Sequence, residues 1–333
     1  MRAALYYAPL DIRVEDVELA SPGDNQVLVR VKAAGICGSD LHNYRQGMFM
    51  TSVPMITGHE FAGIVQETGP KVKNLQPGDH VVADSRVYCK KCDYCREQLY
   101  NLCPNLGYLG EVMAGAFAEF ALLDESQLFR LPPELPLDEA ALLEPFAVAL
   151  HILDSLEIKK GNALGIVGAG PIGLLALLAA KQLLQCPVIV LDPSQLRRDK
   201  AAYLGAQAVL SPQDPQLEKL ISALPFVIEA AGNANAFHTA LKLVKSSGKI
   251  VLAGLFEKDY SGDINLITEK EITLRGINGF TSSDLLEAID LLHKKQIDLS
   301  GVISKKISLE QINEAFELLN DPDSSAGKII IEP

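Results

Sequence analysis

The chain has 333 residues, of which 30 are basic and 42 acidic, so its formal net charge is −12. This length favours two domains, each large enough to bury a core of its own. The acidic excess argues against nucleic acid or an anionic membrane as partner, because their phosphate groups would be repelled over most of the surface. Hydrophobic residues at 48% and charged residues at 22% are typical of a globular protein and exclude a disordered or fibrous chain.

The first 19 residues alternate apolar and charged side chains and lack the apolar core of a secretory signal. They predict two strands of a cytoplasmic protein. One stretch, 161–180, carries no charge and is long enough to cross a bilayer, but it contains five glycines and a proline. Because glycine and proline break an apolar helix, the sequence predicts no membrane span.

Up to about residue 144, short apolar or alternating segments are separated by glycine and proline. After two initial strands, further strands are predicted at 27–33, 61–68, 80–83 and 117–123. This pattern indicates a β-rich domain with few long helices.

From about residue 145, short apolar runs alternate with helical patterns. Strands are predicted at 164–167, 188–192, 208–210, 226–229, 249–253 and 272–275. Strands separated by helices are typical of a doubly wound parallel sheet, the Rossmann arrangement. The segment 211–225 has three prolines and predicts an irregular link or a short helix. The tail predicts a helix at 283–294, a strand at 302–307, a helix at 309–319 and a strand at 328–331.

A glycine-rich turn, Gly168-Ala-Gly170-Pro171-Ile172-Gly173, follows the first predicted Rossmann strand and opens a helix. In that context the glycines permit a tight turn, the close approach of a pyrophosphate, and close packing of helix on strand. The helix N-terminus offers free N–H groups to phosphates, and proline suits the first helical turn. These residues predict a dinucleotide site.

Asp192 ends the next predicted strand, 19 residues after Gly173. A carboxylate there can accept hydrogen bonds from the adenosine ribose hydroxyls and would repel a 2′-phosphate, which favours NAD over NADP. Arg197 and Arg198 are close enough in sequence to attract such a phosphate, although their position predicts that they belong to the following helix. Arg197 is counted among the cofactor-binding candidates.

Cys89, Cys92, Cys95 and Cys103 lie within one short segment, a spacing that can wrap a tetrahedral Zn²⁺. A site with four cysteine ligands has no open position, so its role would be structural. Disulfides are disfavoured without a secretory signal. An iron–sulfur cluster of the bacterial ferredoxin type stays as an alternative, although its last cysteine would have to lie nearer to the third.

A further group of potential ligands comes earlier, as Cys37, Ser39, Asp40 and His42 in one motif and Gly58-His59-Glu60 in a second. Together with the four-cysteine segment and the glycine-rich turn, these motifs resemble those of the zinc-dependent medium-chain alcohol dehydrogenases, in family order over essentially the whole chain. The chain looks most similar to the polyol and diol branch, which includes sorbitol and butanediol dehydrogenases. Glu144 carries this last resemblance, because that branch has a glutamate where liver-type enzymes place a third cysteine ligand.

The resemblance implies a catalytic zinc held by Cys37, His59 and Glu144. It also implies that Glu60 adjoins the metal and replaces the bound water or Glu144 in some states, and that Asp40 orients His59. Ser39 would receive the proton of the substrate hydroxyl and pass it through the cofactor ribose to His42 and solvent.

The fold implied is α/β, with a GroES-like catalytic domain formed by residues 1–144 and 281–333 and a Rossmann NAD-binding domain at 145–280. The implied reaction is hydride transfer from a secondary alcohol, diol or polyol to NAD, which gives the ketone, in a homo-dimer or homo-tetramer. Gly279-Phe280 stands where sorbitol dehydrogenases are expected to carry an Arg-Tyr pair, which weighs against sorbitol. L-Threonine, idonate or galactitol phosphate are alternative substrates, and a non-catalytic NAD-binding protein is the alternative of another class.

Overall fold

The computed structural model describes residues 1–321 and 327–333, and these divide into two compact units. The first unit contains Met1–Glu144, Thr281–His293 and Ile303–Pro333, and the second contains Pro145–Phe280 and Lys294–Val302.

The N-terminal part of the first unit is mostly short strands, as the turn-rich sequence predicts. The strands are β1 (Arg2–Ala8), β2 (Asp11–Asp16), β3 (Gln26–Gly35), β4 (Met55–Ile56), β5 (Glu60–Thr68), β6 (His80–Ala83), β7 (Arg86–Val87), β8 (Gly107–Tyr108), β9 (Phe120–Asp124) and β10 (Leu128–Leu131). The helices are α1 (Gly38–Gln46), α2 (Asp93–Arg96) and α3 (Leu137–Ala140), followed by α4 (Leu143–Leu156).

The strand β3 organises the main sheet of this unit. It pairs with β5 and β9, both antiparallel, and most of its residues are buried, because its Val, Leu and Ala side chains face the core. The strand predicted at 117–123 begins only at Phe120. The reason is that Ala116 and Phe117 donate their N–H groups to the carbonyls of Gly58 and Thr57, so this backbone pairs with a loop before it enters the sheet.

The second unit contains the predicted alternation of strands and helices. Its elements are β11 (Leu164–Val167), α5 (Pro171–Gln182), β12 (Val188–Leu191), α6 (Gln195–Tyr203), β13 (Ala208–Leu210), β14 (Leu224–Glu229), α7 (Ala234–Leu243), β15 (Val244–Leu252), α8 (Asn265–Glu269) and β16 (Thr273–Gly276). The strands are parallel in the order β13-β12-β11-β14-β15-β16. This order reverses between β11 and β14, which is where doubly wound sheets bind ligands. The link at 211–225 contains a short 3₁₀ helix, Pro215–Leu220.

The tail contains α9 (Ser282–His293), β17 (Ile303–Ser308), α10 (Ile312–Asn320) and β18 (Lys328–Glu332). The predicted helix at 309–319 starts as a 3₁₀ turn, Leu309–Gln311. The strand β18 lies between β17 and β3 in the main sheet of the first unit. Its isoleucines are fully buried, so the end of the chain completes the core that the beginning of the chain starts.

One segment differs from the expected domain boundaries: Lys294–Val302 belongs to the second unit. Ile297 and Leu299 are buried, and the backbone N–H of Asp298 donates to Oε1 of Gln182 at 3.3 Å. Because its apolar residues pack with α5 of the second unit, the chain returns to that unit after α9, in addition to the expected change of unit between residues 280 and 281.

The uncharged stretch 161–180 divides into β11, the glycine-rich turn and α5. Over the described residues, the structure contains no helix with the length and apolarity needed to cross a membrane.

Candidate active site and cofactor site

Cys37 sits where the central strand β3 ends and α1 begins. It occupies the N-cap position, and its backbone N–H donates to Oδ2 of Asp40 at 2.9 Å. A carboxylate in the first helical turn is favourable because it accepts from N–H groups that the helix leaves unpaired. This bond fixes the turn that presents the Cys37 thiol.

His59 and Glu60 approach Cys37 because β5 pairs with β3, with Glu60 opposite Gly35. Among the described residues, one potential ligand atom from each of Cys37, His59 and Glu60 lies within 4.8 Å of the others. We call these residues the donor group. His59 Nδ1 and Glu60 Oε1 are buried without a hydrogen-bond partner in the described chain. A thiolate, an imidazole and a carboxylate with unpartnered atoms suit Zn²⁺, so these residues fit the metal that the sequence predicts.

Lys328 is a buried partner of the donor group that sequence reasoning missed. Its Nζ donates to Glu60 Oε2 and, at 2.9 Å, to the carbonyl of Ile36. Burial of the ammonium opposes its charge, but the attraction of Glu60 and Cys37 raises the pKa of Lys328. The sequence signal is a lysine that opens the apolar strand β18, since a buried lysine needs an anionic partner.

The structure places Glu144 beside this site but outside the donor group. Glu144 lies in the first turn of α4, and its Oε1 accepts a hydrogen bond from the Ser85 hydroxyl at 2.5 Å. Burial raises its pKa to about 7. Glu60 therefore supplies the carboxylate nearest to Cys37 and His59 in this structure, and ligation of zinc by Glu144 stays a prediction.

The predicted orientation of His59 by Asp40 takes a different form. Asp40 Oδ1 is 3.8 Å from His59 Nδ1, too far for a hydrogen bond, while Oδ2 holds the Cys37 N–H. Burial opposes a charge on the imidazole, but Asp40 and Cys37 outweigh it and hold the pKa of His59 well above its ordinary value. Asp40 thus acts on His59 through charge and on Cys37 through the backbone.

Ser39 and His42, the predicted proton relay, both lie on α1. Their spacing of three residues puts them on the same face of the helix, and both side chains are half-buried. The His42 ring meets Phe49 edge-on, with 6.4 Å between ring centroids. This placement allows a relay, and the roles of both residues remain predictions.

The structure brings the later cysteines, Cys89, Cys92, Cys95 and Cys103, together in one cluster. Their sulfur atoms all lie within 4.8 Å of one another, and none of these cysteines forms a disulfide. Backbone N–H groups of Lys91 and Cys92 lower the pKa of the Cys89 thiol to about 6, which favours the thiolate that binds metal. The cluster fits the predicted four-cysteine zinc site.

The glycine-rich turn has the geometry that a dinucleotide site needs. Gly168 has a φ of +109°, and a side chain there would press on the backbone of Ala230 and Ala231. A side chain at Gly173 would collide with the carbonyl of Gly168, so this glycine allows α5 to pack on β11. At Gly170 a Cβ would meet nothing within 4 Å, which leaves open space before the helix N-terminus. Pro171 and Ile172 form the first helical positions, so the turn fits a bound pyrophosphate.

Asp192 directly follows β12 and is buried, with both carboxylate oxygens engaged by the backbone. Oδ2 accepts from the N–H of Ala169 at 2.8 Å, and Oδ1 accepts from the N–H of Ser194 at 2.9 Å. The carboxylate therefore ties the end of β12 to the glycine-rich turn. Each oxygen can accept a second hydrogen bond, so this role is compatible with ribose binding.

Arg197 and Arg198 both lie in α6, as predicted. The backbone N–H of Arg197 donates to the Ser194 hydroxyl at 3.4 Å, which caps the helix. The Arg198 guanidinium donates to the carbonyls of Asp192 and Pro193 at 2.6 and 2.8 Å. Arg198 therefore stabilises the loop that carries Asp192.

Glu229, at the carboxyl end of β14, is a second residue that sequence reasoning missed. It pairs with Val167, the residue before the glycine-rich turn, and its Oε1 accepts from the N–H groups of Ala231 and Gly232 at 3.0 and 2.8 Å. The loop that it holds packs against Gly168. A glutamate that ends an apolar strand is the sequence signal, and Glu229 shapes the floor of the turn.

We expect Glu229→Gln to gain stability relative to the wild type as pH rises. Glu229 is fully buried, and burial raises its pKa above the ordinary value of 4.5. An acid whose pKa is higher in the folded state costs stability as pH rises from its unfolded value through its folded value, and glutamine has no such cost. The melting temperature of Glu229→Gln minus that of the wild type, without cofactor, should therefore be larger at about pH 8 than at about pH 5. Exposed Glu218→Gln is the control, and a difference for Glu229→Gln that does not change with pH would contradict this reasoning.

Comparisons with known proteins match both units. Residues 23–133 match the alcohol dehydrogenase GroES-like domain, and residues 171–294 match the zinc-binding dehydrogenase family. Sorbitol dehydrogenase of Bacillus subtilis (strain 168) is 31% identical, over 100% of this chain and 97% of that protein. L-Threonine 3-dehydrogenase of Thermococcus kodakarensis is 33% identical, over 96% of this chain and 93% of that protein.

A similar solved structure is that of a zinc-binding dehydrogenase from Sinorhizobium meliloti 1021 bound to NADP. It is 30% identical to this chain, with a TM-score of 0.92, and the match covers 100% of this chain and 99% of that one. These matches confirm the predicted GroES-like and Rossmann fold and the predicted enzyme class. The chain therefore belongs to the zinc-dependent medium-chain alcohol dehydrogenase family, in its polyol dehydrogenase branch, and is an oxidoreductase that acts on CH–OH donors.

Proposed function

We propose that this protein is an NAD-dependent dehydrogenase that converts a neutral secondary alcohol, diol or polyol to the ketone. The observation that carries the proposal is the donor group, in which Cys37, His59 and Glu60 offer ligand atoms within 4.8 Å. A zinc ion held there would supply Lewis-acid chemistry, which lowers the pKa of an alcohol hydroxyl and so favours the release of hydride to a nicotinamide.

Residues of the chain would hold the metal and move the proton. Cys37 and His59 would be ligands of the metal. The carboxylate of Glu60 would lie between the metal and Lys328, whose ammonium donates to it and so competes with the metal. The Ser39 hydroxyl would accept the substrate proton and His42 would pass it on, as the family resemblance implies. The four-cysteine cluster would hold a second, structural zinc.

A neutral substrate is favoured by the charges near the donor group. Asp40, Glu60, Glu144 and Glu111 are all buried acids in the first unit, and each interacts with His59 or Lys328. Lys328 is committed to Glu60. A phosphate or carboxylate on the substrate would meet this negative field, so galactitol phosphate and idonate are weaker candidates than a diol or polyol.

The preference for NAD rests on Asp192. Its carboxylate lies beside the glycine-rich turn, bonded to Ala169, where it would repel a 2′-phosphate. Arg198 is engaged by backbone carbonyls and stabilises the loop. The related protein from Sinorhizobium meliloti binds NADP, so the choice between the two cofactors needs a direct measurement.

A homo-dimer or homo-tetramer is part of the proposal. All four residues of β16 are exposed, and β16 is the edge strand of the parallel sheet. Because an exposed edge offers unpaired backbone groups, β16 is the surface on which we expect a second copy to pair.

The direct test follows NADH absorbance with a substrate panel: 2,3-butanediol, sorbitol, xylitol, threonine, idonate and galactitol phosphate. We expect turnover of a neutral diol or polyol with NAD and a much lower kcat/KM with the anionic substrates. A clear preference for idonate or the phosphate would overturn the neutral-substrate proposal. Absence of turnover from a zinc-loaded protein that binds NADH would favour the non-catalytic alternative.

Replacing Asp192 by alanine should raise the KM for NAD and reduce the preference for NAD over NADP. Loss of a charge-assisted hydrogen bond to ribose corresponds to about a 10-fold or larger rise in KM. The measurement is kcat/KM for both cofactors with one substrate. Asp199→Ala, on the exposed side of the neighbouring helix, is the control for the loss of a carboxylate. An unchanged cofactor ratio in Asp192→Ala would contradict the assignment.

A further inference from the structure

The loop that carries Glu111 is held firmly against the segment 57–59, which contains His59 and directly precedes β5. Gly110 packs so closely on the backbone of Gly58 that a Cβ there would lie 2.7 Å from the Gly58 nitrogen. The N–H of Ala116 donates to the Gly58 carbonyl at 2.9 Å. Because Gly58 directly precedes His59, Glu111 has a fixed place beside the donor group.

The backbone of Glu111 is fixed from a second direction. The Thr51 hydroxyl donates to the Glu111 carbonyl at 2.7 Å, and the Glu111 N–H donates to the Tyr108 carbonyl at 3.1 Å. The ring of Tyr108 in turn lies 6.1 Å from that of His59, centroid to centroid. The loop is therefore rigid at the point from which the Glu111 side chain leaves it.

The carboxylate of Glu111 has no hydrogen bond or ion pair with any residue in 1–321 or 327–333, although the residue is only 7% exposed. The charges that act on it are those of His59, Asp40 and Glu144, so it faces the same site as the donor group. Burial raises its pKa to about 7. Unlike Oε1 of Glu60, neither carboxylate oxygen of Glu111 belongs to the fully buried side-chain atoms without a partner, so both oxygens keep some accessible surface. A largely buried carboxylate with accessible oxygens can accept a hydrogen bond from a donor on a ligand.

We propose that Glu111 recognises the substrate, by accepting a hydrogen bond from a second hydroxyl or an ammonium group next to the carbinol that is oxidised. This inference rests on the proposed function and deepens it, because it names the substrate class as vicinal diols, polyols and amino alcohols in preference to simple alcohols. The donor group and the predicted relay would act on the reacting hydroxyl, and Glu111 would accept a hydrogen bond from the neighbouring group. Above its pKa the Glu111 carboxylate can only accept hydrogen bonds, so in that form it selects a donor and rejects an alkyl group, which would leave it unpaired.

The experiment compares kcat/KM for 2,3-butanediol, 3-amino-2-butanol and 2-butanol with NAD in the wild type, Glu111→Gln and Glu111→Leu. In the wild type the diol or the amino alcohol should exceed 2-butanol by about 10- to 100-fold, as expected for a hydrogen bond to a charged group. Glu111→Leu should lose most of this ratio, and Glu111→Gln should keep part of it, since its amide oxygen still accepts. Comparison of the diol with the amino alcohol then identifies the donor, because only the ammonium also gains from the charge.

Thr51→Val is the matched control, because it removes the hydroxyl contact to the Glu111 backbone and leaves the carboxylate. If Glu111 only supports the loop, Thr51→Val and Glu111→Leu should each lower kcat/KM for all three substrates by a similar factor. That result would show that the inference is wrong. The inference is also wrong if both the wild type and Glu111→Leu are active and prefer the diol or amino alcohol over 2-butanol by the same ratio of kcat/KM. In that case the proposed function stands. If the wild type oxidises none of these alcohols, the proposed function fails first. Leucine removes no hydrogen bond among the described residues, and circular dichroism with a melting curve verifies that the variant is folded.

Discussion

Replacing Cys37 by serine should lower kcat/KM by at least about 1,000-fold while leaving a folded protein that still binds NADH. Cys37 offers the thiolate of the donor group, and its sulfur lies within 4.8 Å of ligand atoms of His59 and Glu60. A Lewis acid contributes several kcal/mol to stabilising charge in the transition state, and each 1.4 kcal/mol is about a 10-fold change in rate. The measurements are steady-state kinetics, zinc content by mass spectrometry and NADH binding by fluorescence.

Cys186→Ser is the matched control for this variant. Cys186 is fully buried, whereas Cys37 is half-buried; it lies in the second unit, and its sulfur contacts the carbonyls of Lys159 and Leu184 at 3.8 and 3.9 Å. It should keep its zinc and most of its activity. Normal turnover by Cys37→Ser with its zinc content reduced would refute the proposed mechanism.

Replacing Cys103 by serine should chiefly destabilise the protein and remove one zinc per chain. Cys103 is buried, with its sulfur 3.9 Å from that of Cys92, and it accepts from the Cys89 N–H at 3.5 Å. A structural zinc contributes its binding free energy to folding, so loss of one ligand should lower the melting temperature by about 10 °C or more.

The readouts for Cys103→Ser are metal content and a melting curve, with kcat measured well below the melting temperature. We expect about two zinc ions per wild-type chain and about one per variant chain, with kcat retained by the part that stays folded. Visible absorbance and iron in the wild type would instead identify the cluster as iron–sulfur. An unchanged melting temperature with both zinc ions retained would contradict a role for Cys103 as ligand.

Local sequence patterns were enough to predict those sites whose geometry depends on residues that are close together along the chain. The turn from Gly168 to Gly173 has its geometry because glycine adopts a positive φ and leaves room for backbone, which are properties of the residues themselves. The four-cysteine cluster likewise closes over 15 residues, Cys89 to Cys103, with little dependence on the rest of the fold. The parallel strands could be predicted for the same reason, because strands and helices alternate in consecutive segments of the chain.

The prediction was weaker where a site is assembled from distant segments. Family resemblance gave both Glu60 and Glu144 as metal residues without deciding between them; the structure groups Glu60 with Cys37 and His59 and gives Glu144 a hydrogen bond from Ser85. Register explains the difference: antiparallel pairing of β3 with β5 sets Glu60 opposite Gly35, two residues from Cys37. No periodicity in either segment indicates that pairing.

The motifs along the chain were enough to assign the class of this protein: two units, a glycine-rich turn suited to a dinucleotide, a cluster of four cysteines, and candidate ligands for a catalytic metal. Which acids and bases lie together at the candidate metal site depends on how distant segments fold against one another. Lys328 reaches Glu60 across 268 positions of sequence, and Glu111 comes beside His59 because two glycine-containing loops pack together. Such contacts are absent from the local sequence because the charge and solvation of a side chain depend on what surrounds it in space. Glu111 is an ordinary loop glutamate in the sequence, and burial beside the donor group makes it the candidate that selects the substrate.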